Sequence, residues 1–372
     1  MRHDLERIEI PGEHEARERT WAVVAGAFAE RQPVERRTRR LRPVLALAVA
    51  LTLVAATLSP PGRAVVDEIR AVVGVERAQP ALFSLPAPGK LLVTSDAGIW
   101  VVQQDGSRRL LGEYREATWS PFARFVAAVS RNELAALEPD GNVRWTLARP
   151  GVGSPRWAGT ETDTRIAYAD RTGIRIVAGD GTGDRLLARG ARGPFAWRPG
   201  GGLVLAYAAP RRVRVLDADT GSLLWQAARP AVRATAVEWS SDGRRVLVLS
   251  AHHLRVYDAR GDIVDQEDPS EGWPDVAARF RPGSHEVAVV RVHGSQSTAY
   301  MLSGRTLFNG TGVFRELAWS PDGRWLLVTW STADQWVFVR MNGGRRIRAV
   351  ANVSEQFRSS TFPKVEGWCC AP

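Results

Sequence analysis

The stretch Leu317-Ala318-Trp319-Ser320-Pro321-Asp322-Gly323-Arg324-Trp325-Leu326-Leu327-Val328 returns in the same pattern at Val237-Glu238-Trp239-Ser240-Ser241-Asp242-Gly243-Arg244-Arg245-Val246-Leu247-Val248. Looser copies centre on Phe83, Trp119, Trp157, Trp197 and Phe280, and the series runs at intervals of 36, 38, 40, 42, 41 and 39 residues. A period near forty, with several short strands in each unit, marks a β-propeller. Seven phrases predict an all-β, seven-bladed propeller over residues 79–372.

One unit shows why. Ala234-Thr235-Ala236-Val237-Glu238-Trp239 alternates apolar with polar and suits a half-buried strand. Ser240-Ser241-Asp242-Gly243 supplies a turn, with Asp for local hydrogen bonds and Gly for positive φ. A strongly apolar strand follows over 244–250, then His253-Leu254-Arg255-Val256-Tyr257, a second turn at Asp258-Ala259-Arg260-Gly261-Asp262, and a weaker outer strand. The repeated Trp or Phe is expected to fill the wedge between blades, where a single sheet cannot cover its own faces. Acidic residues of the second turn, as in Glu138-Pro139-Asp140-Gly141, read as hairpin chemistry and not as calcium ligands.

The Trp-Ser-Pro-Asp-Gly-Arg phrase at 319–324 resembles the WD40-like repeat of bacterial TolB-type propellers. It lacks the Gly-His and Trp-Asp dipeptides of eukaryotic WD40 blades. Val215-Leu216-Asp217-Ala218-Asp219-Thr220-Gly221-Ser222-Leu223-Leu224-Trp225 resembles a quinoprotein-type blade instead, and 137–145 does so more faintly. These resemblances imply a propeller and say little about activity.

Residues 43–62 carry no charge, and Val44-Leu45-Ala46-Leu47-Ala48-Val49-Ala50-Leu51 opens a run rich in Leu, Val and Ala. Twenty residues at about 1.5 Å each reach about 30 Å, the thickness of a bilayer core. A cleaved signal peptide would fit the short apolar run, with Gly62-Arg63-Ala64 as a cleavage site. The 42 residues before it favour an uncleaved single-pass transmembrane helix. Arg36, Arg37, Arg39, Arg40 and Arg42 precede the span, so the positive-inside rule predicts a cytoplasmic N-terminus and an extracytoplasmic propeller.

The cytoplasmic segment 1–42 reads as helical over 13–31, with Trp21, Val24 and Phe28 on one face. A segment this small cannot hold a core alone, so that face is expected to dock on a partner protein, a second copy or the membrane surface, and a protein partner is the expectation taken forward. Residues 63–78 read as a stalk helix and linker, with Val65, Val66, Ile69, Val72 and Val73 at helical spacing.

The net charge is +10, yet the arginines are dispersed, and Lys90 and Lys364 are the only lysines. Outside the cluster before the span no basic run exists, so no nucleic-acid partner is expected. The only cysteines, Cys369 and Cys370, are adjacent and can bridge each other or another chain, or be buried as thiols. His252 and His253 alternate on a strand and cannot chelate one ion. No nucleophile elbow, zinc-protease helix, phosphate loop or dinucleotide fingerprint occurs. No catalytic, cofactor-binding or metal-binding residue is therefore assigned.

The leading expectation is a non-catalytic, membrane-anchored binding, scaffold or sensing propeller. A second is an anti-sigma-like regulator, which shares the layout of short cytoplasmic segment, span and outer domain. His14 lacks the cysteine partners of the zinc-type pattern in that group. A third is an enzyme with its site in the propeller channel.

Finally, Phe362-Pro363-Lys364-Val365-Glu366-Gly367-Trp368 ends in another Trp in register. It can supply the inner strand of the first blade in competition with the segment around Phe83, and it leaves an eighth blade open.

Overall fold

The computed structural model describes residues 84–370, apart from 201, 231, 269–271 and 343–345. The predicted cytoplasmic helix with Trp21, Val24 and Phe28, the span 43–62, the stalk and the phrase at Phe83 lie outside the described residues. Among those described, no helix is long and apolar enough to cross a membrane.

Among the described residues, twenty-eight strands form seven four-stranded antiparallel sheets. Each sheet is one blade, and in blades 2 to 7 the first strand lies innermost. Glu116–Trp119, Gly153–Gly159, Phe195–Trp197, Ala234–Trp239, Asp275–Phe280 and Phe314–Trp319 hold that place in blades 2 to 7. Each of these strands touches the next, and the ring closes through Lys364–Cys369 in blade 1.

That closing strand settles the competition for the first blade. Lys364–Cys369 pairs with Lys90–Ser95, matching Lys90 to Cys369 and Leu91 to Trp368. The inner position of blade 1 thus belongs to the C-terminal segment, with Trp368 as its aromatic. The Asp96 carboxylate ties the approach to the strand. It accepts from the amide and hydroxyl of both Ser360 and Thr361, at 2.6–3.1 Å.

Burial follows strand position. The second strands Val246–Ser250 and Trp325–Trp330 are buried at every residue, as expected of strands covered on both faces. Outer strands such as Val143–Ala148 and Leu223–Ala228 expose every other residue or more, the period-two pattern of a one-sided edge. The core is accordingly divided among seven apolar clusters, each shared by two neighbouring blades. Trp319, Leu326 and Val328 of blade 7, for example, pack on Ala288, Val290 and Phe308 of blade 6. The repeated aromatics occupy these wedges.

Candidate functional site

Blades 5 and 7 share one form of the repeat turn; blades 4 and 6 replace its Ser and Asp by Arg198-Pro199-Gly200 and Arg281-Pro282-Gly283. In blade 5 the Ser240 hydroxyl donates to the Asp242 carboxylate at 2.6 Å, and the Arg244 amide donates to the same oxygen at 3.1 Å. The Arg245 amide returns to Ser240 Oγ at 2.9 Å, and Gly243 takes φ 67°. Blade 7 repeats every bond through Ser320, Asp322 and Trp325, with Gly323 at φ 63°. Asp and Gly are therefore turn chemistry, and so is the second turn, where Asp217 accepts from the Thr220 amide and hydroxyl.

Blade 2 breaks the pattern. Its turn reads Trp119-Ser120-Pro121-Phe122-Ala123-Arg124, and Phe122 and Ala123 occupy φ 66° and 50°. These are left-handed positions that disfavour a Cβ. The bond to Asp is gone, and Ser120 Oγ still accepts from the Phe125 amide at 2.8 Å. Phe122 is 53% exposed. Blade 3 departs as well, since Trp157 is followed by Ala158-Gly159-Thr160 in place of Ser-Pro-Asp.

Between these two turns lies a cavity of about 470 Å³, lined by Phe122, Phe125, Trp145 and Trp157. That volume falls within the roughly 300–1,000 Å³ of small-ligand pockets. Phe125 stacks on Trp157, with centroids 6.1 Å apart and planes 16° from parallel. The Arg144 guanidinium lies 5.7 Å from the Phe125 centroid. Trp145 is fixed by donation from its indole N–H to the Gly179 carbonyl at 2.9 Å. The charged rim is internally paired, Arg124 with Glu161 at 3.7 Å, Arg144 with Glu138 at 3.2 Å, and Arg165 with Asp163. A second cavity continues past Arg124, Phe125 and Arg144 to Arg109 and Asp140.

The ring axis is a separate polar site. Inner strands of several blades bring Glu116, Arg156, Glu238, Arg279 and Glu366 close enough to act electrostatically on one another. Arg279 lies 3.5 Å from Glu238, and Lys364 is 2.9 Å from Glu366. Glu116 accepts from the Ser154 amide and Glu316 from the Thr329 hydroxyl. Arg156 keeps contact with solvent although protein surrounds it, as in a wet channel, and burial lowers its pKa. Burial pushes the Glu238 carboxyl up to about 6 and outweighs the Arg279 charge beside it. It raises Glu316 as well, against the Thr329 hydrogen bond. The channel charges thus largely serve one another.

The remaining residues singled out from sequence are placed plainly. Cys369 and Cys370 form a vicinal disulfide at the end of the closing strand. His253 pairs with Asp268 at 2.7 Å. Among the described residues, no group of three or more His, Cys, Asp or Glu is placed to hold a metal. The blade 2–3 pocket was not anticipated, although its signal stands in the sequence as the missing Asp-Gly after Trp119.

No family model matches the chain, and no curated protein matches it. Solved structures do. One is a chain of a mitotic checkpoint complex, 19% identical, with a TM-score of 0.53, covering 72% of this chain and 94% of the other. Another is KlHsv2 with its loop 6CD replaced by a Gly-Ser linker, 13% identical, with a TM-score of 0.52, covering 71% and 94%. At these identities the likeness shows a shared WD40-like propeller fold and nothing further.

Proposed function

We propose that the chain is a non-catalytic binding module, a propeller displayed outside the cell by an N-terminal membrane span and engaging a protein partner through blades 2 and 3. The observation that carries the binding reading is Phe122, an apolar ring held in solvent on a left-handed backbone beside an aromatic pocket. Strained, exposed positions of this kind persist where the surroundings hold them for a purpose. The anchor and its orientation are supported by the uncharged run 43–62 and the arginines before it. The resemblance of the repeat to TolB-type blades supports a bacterial, extracytoplasmic setting.

A photo-crosslinking amino acid at position 124 in living cells is expected to give a discrete protein adduct. Alkaline phosphatase fused after residue 372 is expected to be active, and after residue 42 inactive. No adduct would overturn the partner, and the reverse fusion pattern would overturn the topology.

A second reading makes residues 1–42 a regulator of a cytoplasmic protein, supported by the Trp21, Val24 and Phe28 face on a segment too short to fold alone. Co-purification of a sigma factor with the full chain, lost on Trp21→Ala/Phe28→Ala, is the expected result; an unchanged yield would remove it.

A further inference from the structure

We propose that the pocket between blades 2 and 3 binds a single aromatic side chain presented by the partner protein. The inference rests on the protein-binding reading above and adds what that partner must carry. Three features of the pocket select an aromatic ring.

The first is its walls. Phe125 is stacked near the Trp157 ring with the Arg144 guanidinium over it, and Trp145 is pinned by its bond to Gly179. Planar groups therefore line the cavity in fixed positions, and an entering ring can meet them face to face or edge to face. The planar guanidinium adds a cation–π partner.

The second is charge. Arg124, Arg144 and Arg165 each face a carboxylate already, and Asp180 accepts from the Thr182 amide and hydroxyl. The three arginines thus bring no unpaired positive charge to the rim, and a neutral ring enters without breaking a pair.

The third is Phe122. Blades 5 and 7 place a carboxylate at this point of the turn, where it bonds its own loop. Blade 2 forgoes those bonds and sets a ring in solvent at 53% exposure. Covering that ring with another aromatic removes both from water, the pattern of an interface anchor.

The test uses the full chain in lipid nanodiscs, with empty nanodiscs as background. Saturation-transfer NMR would compare N-acetyl-tryptophanamide and N-acetyl-phenylalaninamide with N-acetyl-leucinamide and N-acetyl-argininamide. The aromatic probes are expected to bind about tenfold more tightly than the other two. Phe122→Asp/Ala123→Gly installs the turn of blades 5 and 7, so it should fold at least as well as the parent. It is expected to weaken the aromatic probes about tenfold. Equal binding of the leucine or arginine probe, or unchanged binding in the variant, overturns the inference. Should the aromatic probes fail while the adduct at position 124 persists, the inference falls and the protein-binding reading stands. Loss of both removes both.

Discussion

The indole N–H of Trp239 donates to the backbone carbonyl of Ala196 at 3.2 Å, reaching from blade 5 into blade 4. Trp197 donates to Arg156 at 2.9 Å and Trp319 to Arg279 at 3.4 Å. In each case the acceptor directly precedes the inner-strand aromatic of the previous blade. The repeated Trp is thus a clasp as well as a wedge. Trp119, Trp157 and Trp368 fill their wedges with the indole nitrogen buried and unbonded among the described residues.

Separating clasp from wedge is possible at position 239. Trp239→Phe keeps most of the packing and removes only the indole bond to the Ala196 carbonyl, which keeps its strand partner Ala206, for an expected loss of about 0.5–1.5 kcal/mol. Trp239→Ala removes both, for about 3–5 kcal/mol. Urea unfolding of the two variants measures the difference, and equal losses would show that the bond contributes nothing.

Ring closure depends on the last strand. Deleting residues 361–372 removes Trp368, which packs at 82° against Phe338 with centroids 5.7 Å apart, and uncovers the inner edge of blade 1. The expected outcome is loss of the cooperative unfolding transition by calorimetry. A truncated chain that melts like the parent would show that Lys90–Ser95 needs no partner on that side.

The blade 2 turn should be exchangeable for a more stable one. Two left-handed non-glycine residues cost about 1–3 kcal/mol each, and the Asp-Gly turn relieves both. Phe122→Asp/Ala123→Gly is therefore expected to raise stability by at least about 1 kcal/mol, and Asp322→Phe/Gly323→Ala to lower it. Thermal denaturation checks the pair; a destabilised first variant would contradict the assignment of strain.

Glu238 sets a pH dependence. Its folded pKa is raised from 4.5 to about 6 because burial disfavours the carboxylate. Between those values the folded state holds a proton that the unfolded chain has released, so the contribution to stability is full below 4.5 and lost as pH rises through 6. Glu238→Gln keeps an acceptor for the Phe280 amide, which bonds Glu238 at 3.1 Å. Stability measured at pH 4 and pH 7 should shift in the variant's favour by about 2 kcal/mol over that interval. A difference that does not change with pH would mean that Glu238 titrates normally.

The Cys369–Cys370 disulfide should matter little to overall stability. It links neighbours, and a cross-link restrains the unfolded chain less the shorter the loop it closes. Cys369→Ser/Cys370→Ser is expected to cost about 1 kcal/mol in denaturant titrations, far less than losing the strand that carries the pair. A loss as large as that of the tail deletion would make the bond part of the closure.

The fold was legible because its repeat is a local code. Trp239, Asp242 and Gly243 fix a strand end and a turn within a few residues, so spacing alone counts the blades. Closure was legible only as an alternative, because the choice between the segment around Phe83 and the one ending at Trp368 depends on pairing across some 270 residues, which no local pattern records. The channel was invisible for a related reason. Glu116, Arg156, Glu238 and Glu366 each look like an ordinary polar position on an alternating strand, and only the ring brings them to one axis. The pocket lay between these cases: Phe122 in place of Asp stands in the sequence, but its neighbours Trp145 and Trp157 come from other strands.

Blade 1 is begun by Lys90–Ser95 and finished by Lys364–Cys369. The first sheet to leave the ribosome is therefore the last to be completed. Every shorter nascent chain is an open arc, with the apolar surface of Leu91 and Val93 uncovered at one end and the newest blade uncovered at the other. Such an intermediate must last until residues 364–369 have been made, because they hold its missing partner. The timetable of folding is set here by the order of translation, and the most vulnerable species is a chain with blades 2 to 7 made and Lys364–Cys369 still missing.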